Sequence, residues 1–411
     1  MTLRPSSLSS AAALQAPGHA PDDLVDEVAG PPFRPTEAAA AIGIGLLALL
    51  ISGLMGLLLA TLSEEGRLSA QGIGFTVMLE ALATGVVTSA ASILLKPVRL
   101  RAIAIAAAAV LVVVDLATLR ASGEGVMVVR GLAGVPEGVL LWISIGFISR
   151  TAAPERWAAV LFTGMGLTQL AVATGLSALV LPRFGANGGY VTVAAAAALA
   201  LPVALFLPHS LGSAAAEGGG AQTSGAPPFR GWVALAGTLC MASSLIAVAV
   251  YIIPLARQAG LSVAVGRTAI SVALACQMVG GALATVLAGR IRYITVFWTC
   301  AAIFLATWLT YAMAAPAWLF VAMTGLSGAA AFVAGPFLVP MTIEADPSRR
   351  AAMQSGAVQL LAGAFGPLLA SLVVTDANVR GVLILGAGLQ LIGLAVATTL
   401  YRVTRGARIG A

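Results

Sequence analysis

Apolar residues run through this chain in long uninterrupted blocks, and polar residues are confined to the short gaps between them. A membrane-crossing helix needs ~20 mostly apolar residues to traverse a ~30 Å hydrocarbon layer at 1.5 Å per residue. Twelve blocks meet that length: 38–62, 69–95, 102–121, 126–149, 157–181, 189–208, 231–256, 264–289, 293–314, 317–343, 351–374 and 381–401. The uncharged run from Tyr293 to Ile343 is too long for one crossing. Its break is Ala314-Ala315-Pro316, because proline starts a helix more readily than it continues one. The pattern predicts an all-α membrane protein.

A polar stretch from Gly212 to Phe229, with Gly218-Gly219-Gly220 and Pro227-Pro228, separates the sixth block from the seventh. It divides the chain into two six-helix halves, residues 38–208 and 231–401, joined by a cytoplasmic linker at 209–230. The first 37 residues are dominated by Pro, Ser and Ala. Their apolar stretch near Ala11 is too short for a signal sequence, and Asp22, Asp23, Asp26 and Glu27 follow it. Residues 1–37 therefore read as a disordered cytoplasmic tail, and residues 402–411 as a second, shorter one.

Composition agrees with the blocks. Of 411 residues, 59% are hydrophobic and 9% charged, against roughly 25% charged in a soluble domain. Abundant Ala and Gly suit close helix packing in lipid. The net charge of +6 is not a nucleic-acid signal, because it comes from dispersed arginines, with Lys96 the only lysine. With both termini inside, the cytoplasmic loops and carboxy-terminal tail hold thirteen basic residues, among them Lys96, Arg99, Arg101, Arg290 and Arg292, and the other side six, Arg67, Arg120, Arg183, Arg257, Arg267 and Arg380. That excess orients both termini to the cytoplasm, as for a multi-pass protein of the cell's inner membrane. Cys240, Cys276 and Cys300 are odd in number and spaced for neither a metal site nor a disulfide framework. His19 and His209 lie outside the blocks. No metal, no cofactor and no membrane-embedded enzyme chemistry is expected, and nothing calls for assembly beyond a monomer.

The halves repeat one another. Lys96-Pro97-Val98-Arg99-Leu100-Arg101 precedes the third block and Gly289-Arg290-Ile291-Arg292 precedes the ninth; Arg156 opens the fifth and Arg349-Arg350 the eleventh. Parallel repeats of this kind are a carrier architecture, with the substrate site near the midplane between the halves. Twelve blocks in two halves, a long central loop and basic loops at the 2–3 and 8–9 connections together resemble the major facilitator superfamily over about residues 38–401. In the fourth block, Arg130-Gly131-Leu132-Ala133-Gly134 is similar to the superfamily's pattern of an arginine followed four residues later by glycine, with Ala133 where glutamine is usual. In the family's antiporters that arginine is linked to proton coupling. The loop 2–3 signature keeps only its basic positions, Lys96, Arg99 and Arg101, and the fifth block lacks the Gly-Pro motif of drug antiporters. The resemblance implies a proton-coupled secondary carrier from an outlying subfamily, working by alternating access.

Leaving aside Arg120 and Arg267 at block ends, four charged side chains lie deep inside blocks, all in the first half: Glu80, Asp115, Arg130 and Glu137. A charge at the bilayer centre costs at least ~2.5–3.5 kcal/mol, so each must pair or act. Counting rise per residue places Glu80 about 15 Å and Glu137 about 16 Å deep, near the midplane, and Asp115 and Arg130 nearer the outer surface. A desolvated midplane carboxyl favours reversible protonation. Glu80 and Glu137 are the proton-site candidates. Arg130 is the group that sets their affinity or meets an anionic substrate, and Asp115 its structural ion partner. Arg130 and Glu137 share a helical face but stand roughly 10 Å apart along the axis, which predicts no direct contact.

The substrate-binding candidates are Arg130 and the neutral side chains Gln169, Tyr251, Gln277, Gln354 and Gln359, since an amide offers both donor and acceptor. Interhelical hydrogen bonding would explain each equally well. Pro136 in the fourth block and Pro336 and Pro340 in the tenth, at equivalent places in the halves, are candidate hinges. The expected activity is transport of a small organic solute, with uptake of an organic acid preferred because Arg130 offers an anion partner. Efflux of hydrophobic compounds, or a non-transporting sensor with the same layout, are the alternatives.

Overall fold

The computed structural model describes residues 33–151, 154–211, 227–287, 290–313, 315–348 and 350–409. Nearly all of the expected tail at 1–37, most of the linker at 209–230, Arg349 and residues 410–411 lie outside the described residues. The first block is split into α1 (Pro35–Leu49) and α2 (Met55–Glu64). Blocks two to four are α3 (Ala70–Leu94), α4 (Leu100–Ala117) and α5 (Glu124–Ile148). α6 (Pro154–Gly175) passes through a π turn, Leu176–Val180, into α7 (Leu181–Ala198) and α8 (Ala200–Ala204). The second half begins with another split block, α9 (Phe229–Ala249) and α10 (Ile252–Gln258). It continues with α11 (Val263–Leu287), α12 (Tyr293–Ala312), α13 (Ala317–Ala345), α14 (Arg350–Val373) and α15 (Gly381–Ile409). Pro316 caps α13, at the break anticipated between the ninth and tenth blocks. Among the described residues the one non-helical pairing is an isolated bridge between Val98 and Ser210.

Among the described residues eleven helices are long and apolar enough to cross a membrane, and the chain is a multi-pass membrane protein. The count differs from twelve because residues 156–204 form one run of 49 residues. At 1.5 Å per residue that run is about 74 Å long, more than twice a ~30 Å core. Gly185, with φ 58° and ψ −157°, kinks it. Its contacts show the path. The Trp157 ring lies 5.5 Å from Phe147 at the end of α5, and the Ala186 amide donates to Glu65 at 2.6 Å. The His209 carbonyl then accepts from Leu100 at the start of α4. The run therefore goes from the Arg101 end of the molecule to the Arg67 end and back. A positive φ at Gly185 suits the reversal, since only glycine adopts it without strain.

Both split blocks have local causes. In the first, a 3-10 turn at Ile51–Gly53 frees the Leu49 carbonyl, which accepts from Ser52 Oγ at 2.7 Å and from Gln169 Nε2 at 2.8 Å. In the seventh, Pro254 has no N–H to give the Val250 carbonyl and its ring crowds that position, so the helix breaks at Val250–Tyr251. By contrast, α5 runs on through Pro136, and α13 through Pro336 and Pro340.

The halves are built alike. α3 packs against α5 and α11 against α13, while α3 against α14 and α6 against α11 join one half to the other. The α3–α5 contact is backbone to backbone. A Cβ on Gly134 would lie 2.8 Å from Ala83 Cβ and 2.9 Å from Thr84 N, and one on Gly138 2.7 Å from Thr84 O. Small residues four apart allow this approach. Gly134→Leu is expected to cost ~1–3 kcal/mol through overpacking and to lower the thermal unfolding midpoint in detergent. Gly85→Leu, where a Cβ meets nothing within 4 Å, should leave it in place. Equal midpoints for the two variants would contradict this packing.

Candidate functional site

Arg130 is fully buried and is met from three helices at once. Its Nε donates to Glu80 Oε2 at 2.9 Å and its Nη2 to Glu80 Oε1 at 2.5 Å, a bidentate pair between α5 and α3. Nη1 donates to Asp115 Oδ1 of α4 at 2.5 Å. Nη2 also lies 3.5 Å from Glu137 Oε1, so the expectation that Arg130 and Glu137 stand too far apart is corrected. Axial separation underestimates the reach of two long side chains on one face, and helical side chains lean towards the amino terminus, which brings Glu137 back to Arg130. Glu80, Asp115 and Glu137 are each at most 4% exposed.

Two further residues complete the cluster, and sequence reasoning passed over both. The Tyr190 ring of α7 faces the guanidinium, with its centroid 5.5 Å from Arg130 Cζ. Thr84 Oγ1 lies 3.2 Å from Glu137 Oε2 and 2.8 Å from the Glu80 carbonyl. An aromatic residue and a threonine carry no mark in the sequence that ties them to a distant arginine. Three carboxyls surround one guanidinium, so full ionisation leaves a sealed charge of −2. Desolvation penalises each ion by several kcal/mol, so the arrangement is chemically able to take up protons. Asp115 Oδ2 and Tyr190 Oη have no hydrogen-bond partner among the described residues.

The second feature is a cavity of about 430 Å³ between the halves. Ser52, Gly53 and Gly56 line it at the first helix break, and Ala249, Val250 and Ile252 at the second. The two breaks face each other: a Cβ on Gly56 would lie 3.3 Å from the Ala249 carbonyl. Gln169, Gln277, Trp308, Thr324 and Ser327 add hydrogen-bonding groups and an aromatic face. Gln277 makes no side-chain hydrogen bond among the described residues, whereas Gln169 is tied to Leu49 and Ser52. No charged side chain lines the cavity. Arg130, Glu80, Asp115 and Glu137 are not in its wall, although Val77, one turn before Glu80 on α3, is. Gln354, Gln359 and Tyr251 also lie outside the lining.

Tyr251 instead seals one end. Its hydroxyl donates to the Ala70 carbonyl at 2.9 Å, the Ala70 amide donates to Asp376 at 2.6 Å, and Arg267 lies 3.4 Å from Glu64. These contacts between the halves all lie at the Arg67 end. Just outside them is a polar pocket lined by Glu64, Arg257, Gln258 and Asp376. Partial burial pushes the Glu64 carboxyl above its ordinary range, while Arg267 and Arg257 pull it back.

No family model and no curated relative matches this sequence. Solved structures do. The fold is similar to that of a crystal structure of the nucleoside transporter NupG, with TM-score 0.70 and 12% identity, over 90% of this chain and 99% of that one. A point mutant of the same transporter matches with TM-score 0.67 and 12% identity, over 89% and 100%. The chain has the fold of the major facilitator superfamily.

Removing the cation from the cluster strands three carboxyls in a dry site. Arg130→Met is expected to cost ~3–5 kcal/mol, seen as a large drop in unfolding midpoint and yield. Combining it with Glu80→Gln and Asp115→Asn should restore much of that loss. A single variant as stable as the parent would contradict the pairing.

Proposed function

We propose that the protein is a secondary transporter that moves a small, neutral, hydrogen-bonding solute by alternating access, with proton coupling at the Glu80–Arg130–Glu137 cluster. The cavity carries this reading. Its volume falls in the ~300–1,000 Å³ range of small-molecule sites, and it sits where breaks in corresponding helices of the two halves meet. Discontinuous helices at matching places in a repeat are where carriers of this architecture bind substrate. The inter-half hydrogen bonds of Tyr251, Ala70 and Arg267 lie at the Arg67 end. That supports a conformer closed on this side and open towards the other, which basic-residue bias makes the cytoplasm.

The neutrality of the solute follows from the lining. The preference for an organic acid rests on Arg130 as anion partner, and Arg130 is fully committed within its cluster. A carboxylate in an uncharged cavity would lose its hydration without a counter-ion. Gln277 offers a donor and an acceptor, and Trp308 a face on which a flat ring can stack. A nucleoside, the cargo named for NupG, has that chemistry.

Coupling is supported by the position of α3. It carries Glu80 in the cluster and Val77 in the cavity wall, and it packs on α14 of the other half. A proton on Glu80 or Glu137 changes how α3 and α5 are held around Arg130, and so biases the tilt of one half against the other. Pro136, Pro336 and Pro340 are the proposed points of bending.

Reconstituted vesicles test both parts. Neutral nucleosides are expected to enter faster than dicarboxylates, and Gln277→Ala should raise KM about tenfold, the effect of one lost ~1.4 kcal/mol contact. Flux of dicarboxylates alone would reverse the solute class, and no flux of any solute would favour the sensor alternative. Under an imposed proton gradient, Glu80→Gln with Glu137→Gln should abolish accumulation while leaving counterflow exchange. Full accumulation in that double variant would remove these acids from the coupling step.

A further inference from the structure

We propose that the membrane-facing side of the second half holds a binding site for an anionic phospholipid, in the groove bounded by α11, α12 and α13. The groove has a volume of about 220 Å³. Leu283, Leu287, Ile291, Ile303, Leu326 and Val333 give it an almost wholly apolar wall. The Thr299 hydroxyl in that wall is already bonded to the Thr295 carbonyl at 3.0 Å, so the threonine turns its methyl group to an occupant. From Thr295 to Ile303 the groove follows α12 for about 12 Å, and Ile291 extends it past the start of that helix. That is close to half of a ~30 Å hydrocarbon core, the depth of one leaflet. Its length and polarity match one acyl chain.

The mouth of the groove supplies the charge. Ile291 lines it, and the residues on either side, Arg290 and Arg292, are exposed. Arg292 Nη1 donates to the Tyr401 hydroxyl at 3.3 Å, which ties the guanidinium to α15 beside the opening. Neither arginine is in an ion pair among the described residues. Trp298, 54% exposed, lies nearly two turns beyond Arg292 on the outer face of α12. Two cations with no carboxylate partner among the described residues, over an apolar slot, suit a headgroup of net negative charge, whose phosphate a guanidinium can hold in bidentate fashion. A free phosphate would use the mouth and leave the slot empty.

Native mass spectrometry of the full chain, with phosphatidylglycerol and phosphatidylcholine of equal chain length, tests the site. Phosphatidylglycerol is expected to be retained at least fivefold more than phosphatidylcholine. Arg290→Gln with Arg292→Gln should bring it down to the phosphatidylcholine level. Thr299→Phe, which fills the slot and keeps both arginines, should cut phosphatidylglycerol retention by at least fivefold. Phosphatidylglycerol with a photoreactive acyl chain should label the parent protein within residues 283–303, a readout that needs no variant to fold. Equal retention of the two lipids, labelling elsewhere, or displacement by glycerol phosphate at the lipid's own concentration would each overturn the proposal.

Discussion

Hydrocarbon offers no hydrogen bonds, so each polar group in the membrane interior of this protein has to be answered by another part of the protein. That constraint makes the chain helical. It also explains why its departures from helix are so closely patched. The Leu49 carbonyl, released where the first block breaks, is taken up by Ser52 and by Gln169 from a different helix. The break at Val250–Tyr251 lies against Gly56, where the absence of a side chain lets backbone approach backbone. Irregular backbone is tolerated here because it lines a cavity between the halves and is kept away from lipid.

The same constraint acts with more force on charge. Arg130 lies wholly inside the first half and collects three carboxyls from α3, α4 and α5, with an aromatic face from α7. Such a cluster stabilises little by itself, because desolvation offsets much of the attraction. In the proposed mechanism it provides a joint whose geometry depends on how many protons it holds. α3 links that joint to the cavity wall and to the other half, so a local change of charge has a mechanical path outwards. The cluster and the cavity are separate sites on one helix.

Among the described residues the membrane helices of the second half hold no counterpart to this cluster. The buried polar groups within its membrane helices are neutral, as in the Ser244–Gln390 hydrogen bond at 2.7 Å between α9 and α15, and its buried carboxyl, Asp346, follows the end of α13 and accepts from Ser348 and the Ala351 amide. The two halves share helix order and packing pairs yet differ in chemistry. In the proposed mechanism one half responds to protons, and the other contributes Gln277, Trp308, Thr324 and Ser327 to the cavity.

The sequence by itself determined the number of apolar blocks, their order, the two-half layout and the short list of intramembrane charges. Those properties depend on length and transfer free energy, which are additive along a chain. The break before Pro316 was legible for the same reason, as a local backbone effect. The reversal at Gly185 was legible only as a gap, and the chain crosses it as a kinked continuous helix. Tertiary structure alone decided which groups meet. It brought Glu137 to Arg130 despite their axial separation, added Tyr190 and Thr84, and withdrew Arg130 from the cavity. It also turned Tyr251 from a substrate candidate's position into an end seal. Hydrogen bonds and ion pairs depend on a few ångströms and on direction, and helix rotation and packing set those quantities after every crossing has already been written in the sequence.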